Sequence, residues 1–152
     1  MTKLIPLTCW LAAVLATSSL AADRIPAQAW RHVKTYDMQS LQKVDPLPMR
    51  QVVGVQFNFR ARNITHLKPN WHYSSIWSRT RTGAKERVDN IPVMVASAAL
   101  PAFQAISSDP ASATKYLVYG QVLQDSDSRF LFLRLLGTKV KRNARGDAIV
   151  SW

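Results

Sequence analysis

The chain has 152 residues and a formal net charge of +11 at pH 7, with 20 Lys and Arg against 9 Asp and Glu. This length fits one domain with a single core, and the single cysteine, Cys9, excludes a disulfide within the chain. The positive charge favours polyanionic partners such as nucleic acid, anionic lipid head groups or acidic glycans, although net charge alone defines no site.

Residues 1–22 have the pattern of a secretory signal peptide. Lys3 precedes an apolar run over residues 4–16, and small residues lead to a predicted cleavage after Ala21 or Ala22. The run is shorter than the roughly 20 residues that a membrane-spanning helix needs. We therefore expect an exported bacterial protein, periplasmic or extracellular, whose mature chain contains no cysteine.

Residues 23–48 are predicted to form an N-terminal arm, because they lack alternation and end in Pro46 and Pro48. A short helix is expected near residues 27–34, and the domain proper is expected over residues 49–152. The domain opens with period-2 alternation that predicts a half-buried strand, in which Gly54 indicates a bulge or sharp bend. Its apolar positions are Val53, Val55, Phe57, Phe59 and Ala61.

Further strands follow in chain order, and one helix interrupts them. Ser97–Ile106 has helical spacing, with Ser97 placed to cap the helix and Pro101 in its first turn. Pro92 in the third strand indicates an edge or a bend. The predicted strands two to six are Tyr73–Arg79, Arg87–Ala96, Lys115–Gln124, Arg129–Val140 and Asp147–Trp152, with turns at Thr82–Ala84, Asp125–Ser128 and Asn143–Gly146.

This order of elements, with Gly54 in a long first strand and Gly120 in the fourth, resembles the OB-fold, a five-stranded, partly open Greek-key barrel. The resemblance covers residues 49–140. It predicts a mainly β, OB-fold-like barrel of five to six strands with one short helix between strands three and four. Another small Greek-key barrel and a curved sheet backed by the helix also fit. The resemblance implies ligand binding on strands two and three and in the loops after strands one and four.

The region that the resemblance assigns to ligands is rich in basic and aromatic residues. Rings that stack bases or sugars, set among cations that contact phosphates, are typical of single-strand binding. The predicted ligand-binding residues are Arg60, Arg62, Lys68, Trp71, Tyr73, Trp77, Arg79, Arg81 and Arg87. If strand two alternates, Trp77 shares a face with Arg79. The favoured alternative for Trp71 and Trp77 is that they fill one end of the core, because large aromatic side chains bury much apolar area.

The fifth predicted strand has a second apolar face, which would be exposed unless another segment or a partner packs against it. Its alternating faces are Phe130, Phe132 and Arg134 on one side and Leu131, Leu133 and Leu135 on the other. One face is expected to point into the barrel, and the face with Phe130, Phe132 and Arg134 would then be open to a partner. The favoured cover is the N-terminal arm, through Trp30, Tyr36 or Leu41, and the alternative is a partner protein.

Catalytic and metal-binding patterns are weak in this sequence. His66 and His72 are six residues apart and have no third ligand nearby in sequence, so no metal or other cofactor is predicted. There is no nucleophile motif and no carboxylate pair. We therefore predict a non-catalytic binding module for an anionic ligand, namely an oligonucleotide, a glycan or an envelope polymer. An adaptor protein of the envelope is the alternative, and a metal-assisted hydrolase around His66 and His72 is a third hypothesis.

Overall fold

The computed structural model describes residues 27–30, 33–124 and 131–152. The predicted signal peptide, its cleavage point, the turn at Asp125–Ser128 and Phe130 lie outside the described residues. Within the described ranges, no helix is long and apolar enough to cross a membrane.

The described residues form a largely β structure with short helical segments. The strands are β1 Lys34–Asp37, β2 Val52–Phe57, β3 Phe59–Arg60, β4 Thr65–Lys68, β5 Trp71–Thr82, β6 Lys85–Ala96, β7 Tyr116–Gln124, β8 Leu131–Gly137, β9 Lys139–Arg142 and β10 Ala148–Ser151. The α-helices are α1 Met38–Lys43 and α2 Leu100–Gln104, and 3-10 turns cover Ala27–Trp30 and Ser97–Ala99.

The main sheet closes on itself. Its strand order is β1-β2-β7-β8-β6-β5-β3, and β4 pairs with β5. Only Asn58 separates β2 from β3, so these two segments form one long strand, which pairs with β7 through β2 and with β5 through β3. The first and last members of the order β2-β7-β8-β6-β5-β3 are therefore parts of the same strand. The parallel pair β6–β8 completes a five-stranded barrel whose other contacts are antiparallel. With a helical segment between the third and fourth barrel strands, this is the OB-fold architecture, and the fold prediction is confirmed.

The barrel interior contains the apolar faces that alternation predicts. Ile91, Val93 and Val95 of β6 and Leu133 and Leu135 of β8 are all buried in one cluster. The segment Ser97–Gln104 covers this cluster with Phe103, which is fully buried. Pro101 lies in the first turn of α2, as predicted. The prediction of a Ser97 cap is wrong, because no side chain caps the segment and Ser97 Oγ lies 3.3 Å from His72 Nδ1 instead.

An irregularity at Asn58 changes the direction of the side chains that follow it. Phe57 belongs to the core cluster, whereas Phe59 lies outside that cluster and pairs with Trp77. The Asn58 N–H donates to the Trp77 carbonyl at 2.8 Å, and Asn58 Oδ1 accepts from the Arg79 N–H at 2.8 Å. Such an extra residue turns a strand and redirects its side chains. Phe59 is therefore buried, as the alternation predicts, but it packs on Trp77 and not in the core cluster of Phe57.

Gly54 has a different role from the one predicted. It is paired in regular register with Tyr119 of β7 and with Thr35 of β1, so the ladder has no bulge there. A Cβ atom at this position would lie 2.9 Å from Thr35 Oγ1 and 3.1 Å from Tyr119 Cε1. Glycine therefore allows the close approach of neighbouring strands.

Part of the predicted arm belongs to the barrel. Strand β1 pairs in parallel with β2, and α1 places Met38 and Leu41 in the core cluster. The short helix expected near residues 27–34 corresponds to the 3-10 turn Ala27–Trp30, and α1 at Met38–Lys43 was not predicted. Asp37 caps α1, because its carboxylate accepts from the Ser40 N–H at 2.7 Å and the Ser40 hydroxyl at 2.8 Å. These hydrogen bonds, the backbone one foremost, hold the pKa of Asp37 below its ordinary value.

After β8 the chain forms a separate two-stranded sheet from β9 and β10. Its turn is the predicted one: the Gly146 N–H donates to the Asn143 carbonyl at 2.9 Å, and Gly146 has a φ of 79°. Gly137 has a φ of 156°, and the Ser151 carbonyl occupies the place where a Cβ would project. A side chain at residue 137 would therefore displace the end of β10. Trp152 packs against the core cluster.

Candidate anion-binding surface

Alternate residues of β5 form an outward-facing row, here named the β5 stripe. Ser74 and Ile76 are buried on the opposite side of the strand, so the predicted alternation is confirmed. At about 3.3 Å per residue, the row extends over roughly 33 Å. Its members are Trp71, Tyr73, Ser75, Trp77, Arg79 and Arg81.

The rings of the β5 stripe lie outside the barrel core. Tyr73 is the most open of them, with 44% of its surface exposed. Trp77 stacks nearly parallel on Phe59, with ring centroids 6.1 Å apart, and its Nε1 donates to Ser75 Oγ at 2.9 Å. The guanidinium of Arg134 lies over the Trp71 ring at 6.0 Å. The alternative that Trp71 and Trp77 fill the core is therefore wrong, because neither belongs to the core cluster.

Strand β6 supplies a second row beside the β5 stripe. Gly83 and Ala84 turn the chain so that Thr82 lies opposite Lys85, and this turn fixes the register of the whole hairpin. The short Ser75 side chain lies between the Tyr73 and Trp77 positions, and its hydroxyl accepts from Trp77 Nε1. Sequence reasoning missed the β6 members of this surface, although counting back from the turn would have found them. The cross-strand pairs are Tyr73 with Met94, Ser75 with Pro92, Trp77 with Asn90 and Arg79 with Val88.

Cations lie at both ends of the β5 stripe. At one end Lys68 of β4 lies opposite Trp71 and is exposed. Arg62 is also exposed, and it follows Ala61, whose N–H donates to the Ser75 carbonyl near the middle of the stripe. At the other end Arg79 Nε is 2.6 Å from Glu86 Oε1, whereas the Arg81 side chain is 75% exposed and 3.8 Å from the same carboxylate. Exposed ion pairs of this kind contribute little free energy. A ligand anion can therefore replace Glu86 as the partner of these arginines at small cost.

A cleft of about 480 Å³ opens beside the arginine end of the stripe, between α1 and β5. Lys115 adds a cation to its wall next to Arg79 and Arg81. The wall contains three cations and two carboxylates, and one of these carboxylates, Asp89, is paired with Arg87 outside the wall. The cleft therefore extends the positive end of the surface.

Two of the predicted ligand-binding arginines are engaged by the protein itself. Arg60 donates from Nε to the Ile106 carbonyl at 2.9 Å and from Nη2 to the Gln104 carbonyl at 3.0 Å, at the end of α2. Arg87 donates to both carboxylate oxygens of Asp89 at 2.9 to 3.0 Å, and these hydrogen bonds raise the pKa of Arg87. We assign both side chains to the scaffold rather than to the ligand surface.

Of the predicted partner face on β8, Phe132 and Arg134 are described, and they have different surroundings. Leu133 and Leu135 point into the barrel, while Phe132 and Arg134 lie on the other side, as expected for the described part of this strand. Arg134 pairs in parallel with Met94 and lies over Trp71, so it borders the β5 stripe. Leu41, one of the predicted covers, lies in the barrel core instead. A partner protein at Phe132 stays a prediction.

His66 and His72 face each other across the β4–β5 pair, with ring centroids 5.2 Å apart and the rings edge to face. Across residues 27–30, 33–124 and 131–152, no group of three or more His, Cys, Asp and Glu side chains is placed to hold a metal ion. The pair thus provides two nitrogen ligands for a metal that usually takes three or four protein ligands.

No family model and no curated protein sequence match this chain. Among solved structures, it is similar to a lipoprotein of Klebsiella pneumoniae that has been assigned as nucleic acid-binding, with a TM-score of 0.47 and 15% identity over 67% of this chain and 87% of that one. It is also similar to a small single-stranded DNA binding protein of Mycoplasma pneumoniae, with a TM-score of 0.40 and 8% identity over 66% of this chain and 94% of that one. A mitochondrial single-stranded DNA binding protein of S. cerevisiae gives a TM-score of 0.29 and 14% identity, over 56% of this chain and 86% of that one.

Proposed function

We propose that this protein is a non-catalytic binding module for an anionic polymer, and that the polymer is single-stranded nucleic acid lying along the β5 stripe. The observation that carries the proposal is the outward alternation of rings and arginines on one strand, with an exposed Tyr73 and cations at both ends. Bases stack on aromatic side chains while cations neutralise the phosphates. The β5 stripe places its rings between cations, so an extended single strand would stack its bases on the rings while its phosphates meet the cations.

The shape of the surface supports an extended and flexible ligand. A row of roughly 33 Å suits a linear polymer, and single-strand sites in OB-folds cover about 4–16 nucleotides. Tyr73 and Trp77 lie four residues apart on the same side of β5, so they offer two separate rings to successive parts of an extended chain. A duplex hides its base faces, and we therefore expect it to bind more weakly than a single strand of equal charge.

The first test measures fluorescence anisotropy of a labelled oligonucleotide of about 12 nucleotides, across a salt series and against heparin as a competing anionic glycan. Tyr73→Ala is expected to weaken binding by about 5- to 150-fold, because a stacked base contributes roughly 1–3 kcal/mol. Replacing Arg79 and Arg81 by Ser is expected to reduce the slope of log K against log salt concentration by about 1.4, since each phosphate contact to a single strand contributes about 0.7 to that slope.

The matched control removes two exposed cations elsewhere, with Lys34→Ser and Lys43→Ser on the N-terminal segment. This control should leave the stacking contribution intact and change the salt dependence less than the arginine pair does. If Tyr73→Ala binds as tightly as the unchanged protein, the β5 stripe is not the site. If heparin displaces the oligonucleotide at equal charge concentration, the surface is a general polyanion surface and the assignment to nucleic acid fails.

A further inference from the structure

A second basic surface lies on the β9–β10 hairpin, away from the β5 stripe. The hairpin packs beside β7, β8 and the Ala27–Trp30 turn, and in the order of the barrel β7 is separated from β5 by other strands on both sides. In the hairpin register Lys141 lies opposite Ile149, and Lys139 lies opposite Ser151. These four residues form one exposed face, here named the hairpin face.

The hairpin face is held in a fixed direction. On the other side of the same two strands, Ala148 is buried and Val140 and Val150 are half-buried. The Thr138 N–H donates to the Ser151 carbonyl at 2.9 Å. Since Trp152 packs against the core cluster and β9 directly follows β8, the open end of the hairpin is attached to the barrel. The hairpin face is thus a preformed surface.

The charge of the hairpin is almost entirely positive. Lys139, Lys141, Arg142 and Arg145 are all exposed, and Asp147 is the one acid between Lys139 and Trp152. The Asp147 carboxylate accepts from Asn143 Nδ2 at 3.1 Å within the turn. None of the described salt bridges involves a hairpin residue. The hairpin therefore presents unneutralised cations to an external anion.

Ile149 distinguishes this surface from the β5 stripe. It is 57% exposed in the middle of the hairpin face, and the face contains no aromatic ring. A single strand requires rings for stacking. A lipid surface requires an apolar side chain that enters the acyl boundary and lysines that reach the phosphates around it.

We propose that the hairpin face binds an anionic lipid surface, with Ile149 entering the interface and Lys139 and Lys141 contacting lipid phosphates. Electrostatic attraction to anionic lipids acts on each nearby Lys or Arg and falls off within a Debye length. Arg145 in the turn is exposed and adds to it, whereas Arg142 lies opposite Ala148 on the other side and donates from Nη1 to the Gly146 carbonyl at 3.1 Å. The proposal is independent of nucleic acid binding, because it uses different residues on a different side of the barrel.

The test is co-sedimentation with vesicles of phosphatidylcholine containing phosphatidylglycerol, with pure phosphatidylcholine vesicles as the uncharged comparison. All chains start at Asp23, which keeps every described residue and removes the apolar run of residues 4–16 that would itself enter a bilayer. The double change Lys139→Ser and Lys141→Ser is expected to lower partitioning to the anionic vesicles by roughly tenfold or more. Ile149→Ser is expected to lower it severalfold at unchanged net charge.

A second readout places a probe at the surface itself. Because the chain from Asp23 has no cysteine, Ile149→Cys can carry an environment-sensitive fluorophore, and Ala111→Cys in an exposed loop is the comparison. Anionic vesicles should shift the emission at residue 149 to the blue and leave residue 111 unchanged. The pair Lys34→Ser and Lys43→Ser controls for net charge and should keep most of the partitioning.

Two results would overturn the proposal. If the control pair lowers vesicle binding as much as the hairpin pair does, the attraction belongs to the whole charge and not to this face. If the hairpin pair lowers oligonucleotide affinity while vesicle binding stays unchanged, the hairpin is part of the polymer site. A failure of oligonucleotide binding in the unchanged protein would leave the vesicle result standing.

Discussion

The arginines around the β5 stripe differ in what their guanidinium groups touch. Arg60 is used by the fold, because it donates to two carbonyls at the end of α2 and lies 5.9 Å from the Phe103 ring centroid. Arg81 is used by no buried group and is largely exposed. The same residue type therefore serves stability at one position and charge at the other.

This difference can be measured with two single changes. Arg60→Ala is expected to lower the free energy of unfolding by about 2–3 kcal/mol, because carbonyls of the α2 end lose charged hydrogen-bond donors. Arg81→Ala is expected to change it by less than about 0.5 kcal/mol and to weaken oligonucleotide binding. Urea unfolding and anisotropy on both variants check this, and weaker binding by a fully folded Arg60→Ala protein would contradict the assignment of Arg60 to the scaffold.

At the scale of elements, α1 is a short helix that depends on its cap. Its six residues place Met38 and Leu41 in the core, and Gln42 Nε2 donates to the Asn90 carbonyl of β6 at 3.0 Å. A helix of this length is not stable alone, so the Asp37 cap and the core contacts together hold it against the barrel.

The cap makes stability depend on pH in a definite direction. Because folding lowers the pKa of Asp37, its charged form stabilises the native state above the unfolded pKa of about 3.9, and this contribution is lost as the pH falls through the lower native pKa. Asp37→Ala is expected to lower the free energy of unfolding by about 1 kcal/mol at pH 7. As the pH falls through the lowered native pKa, the two proteins should converge, and urea titrations at neutral pH and at successively lower pH measure this. A constant difference would assign the effect to packing.

How far the sequence predicts this fold depends on the range of the interaction. The faces of β5 and β6 follow from alternation and from Gly83, whose φ of 62° suits a two-residue turn. The irregularity at Asn58 has no such local signal, since its hydrogen bonds go to Trp77 and Arg79 of another strand. The parallel pairing of β1 with β2 likewise has no signal in the sequence of residues 33–37.

The candidate site shows the same division. Its β5 half was predictable, because one strand with period 2 places Tyr73, Trp77 and Arg79 together. The separation of Arg60 from that group was not, because it results from carbonyls of α2 more than forty residues away in sequence. The place of Arg134 beside Trp71 depends on the parallel β6–β8 pair, which no local pattern encodes.

At the scale of the whole molecule, the net charge is organised rather than uniform. The β5 stripe combines cations with rings, and the β9–β10 hairpin combines cations with one aliphatic side chain. The two surfaces belong to different parts of the barrel. A protein with both proposed activities would hold a polymer close to a lipid surface, although neither activity requires the other.

The closure of the barrel has a kinetic consequence. Strand β8 joins β6 in parallel and β7 in antiparallel pairing, whereas β5 and β6 form a local hairpin. Because local contacts form at lower entropic cost, we expect the β5–β6 hairpin to be structured in the folding transition state and β8 to dock later. Leu133→Ala should then mainly raise the unfolding rate, and Ile91→Val should mainly lower the folding rate. Stopped-flow chevrons measure both, and the reverse pattern would contradict this order.

Until β8 docks, one edge of β6 has no partner at Val93 and Met94. An open edge of this apolar character pairs readily with the same edge of another chain. Before β8 docks, the edge of β6 in one chain can therefore pair with another chain instead of with its own β8. We expect the yield of refolding to fall with protein concentration, at concentrations where the native barrel itself shows no association.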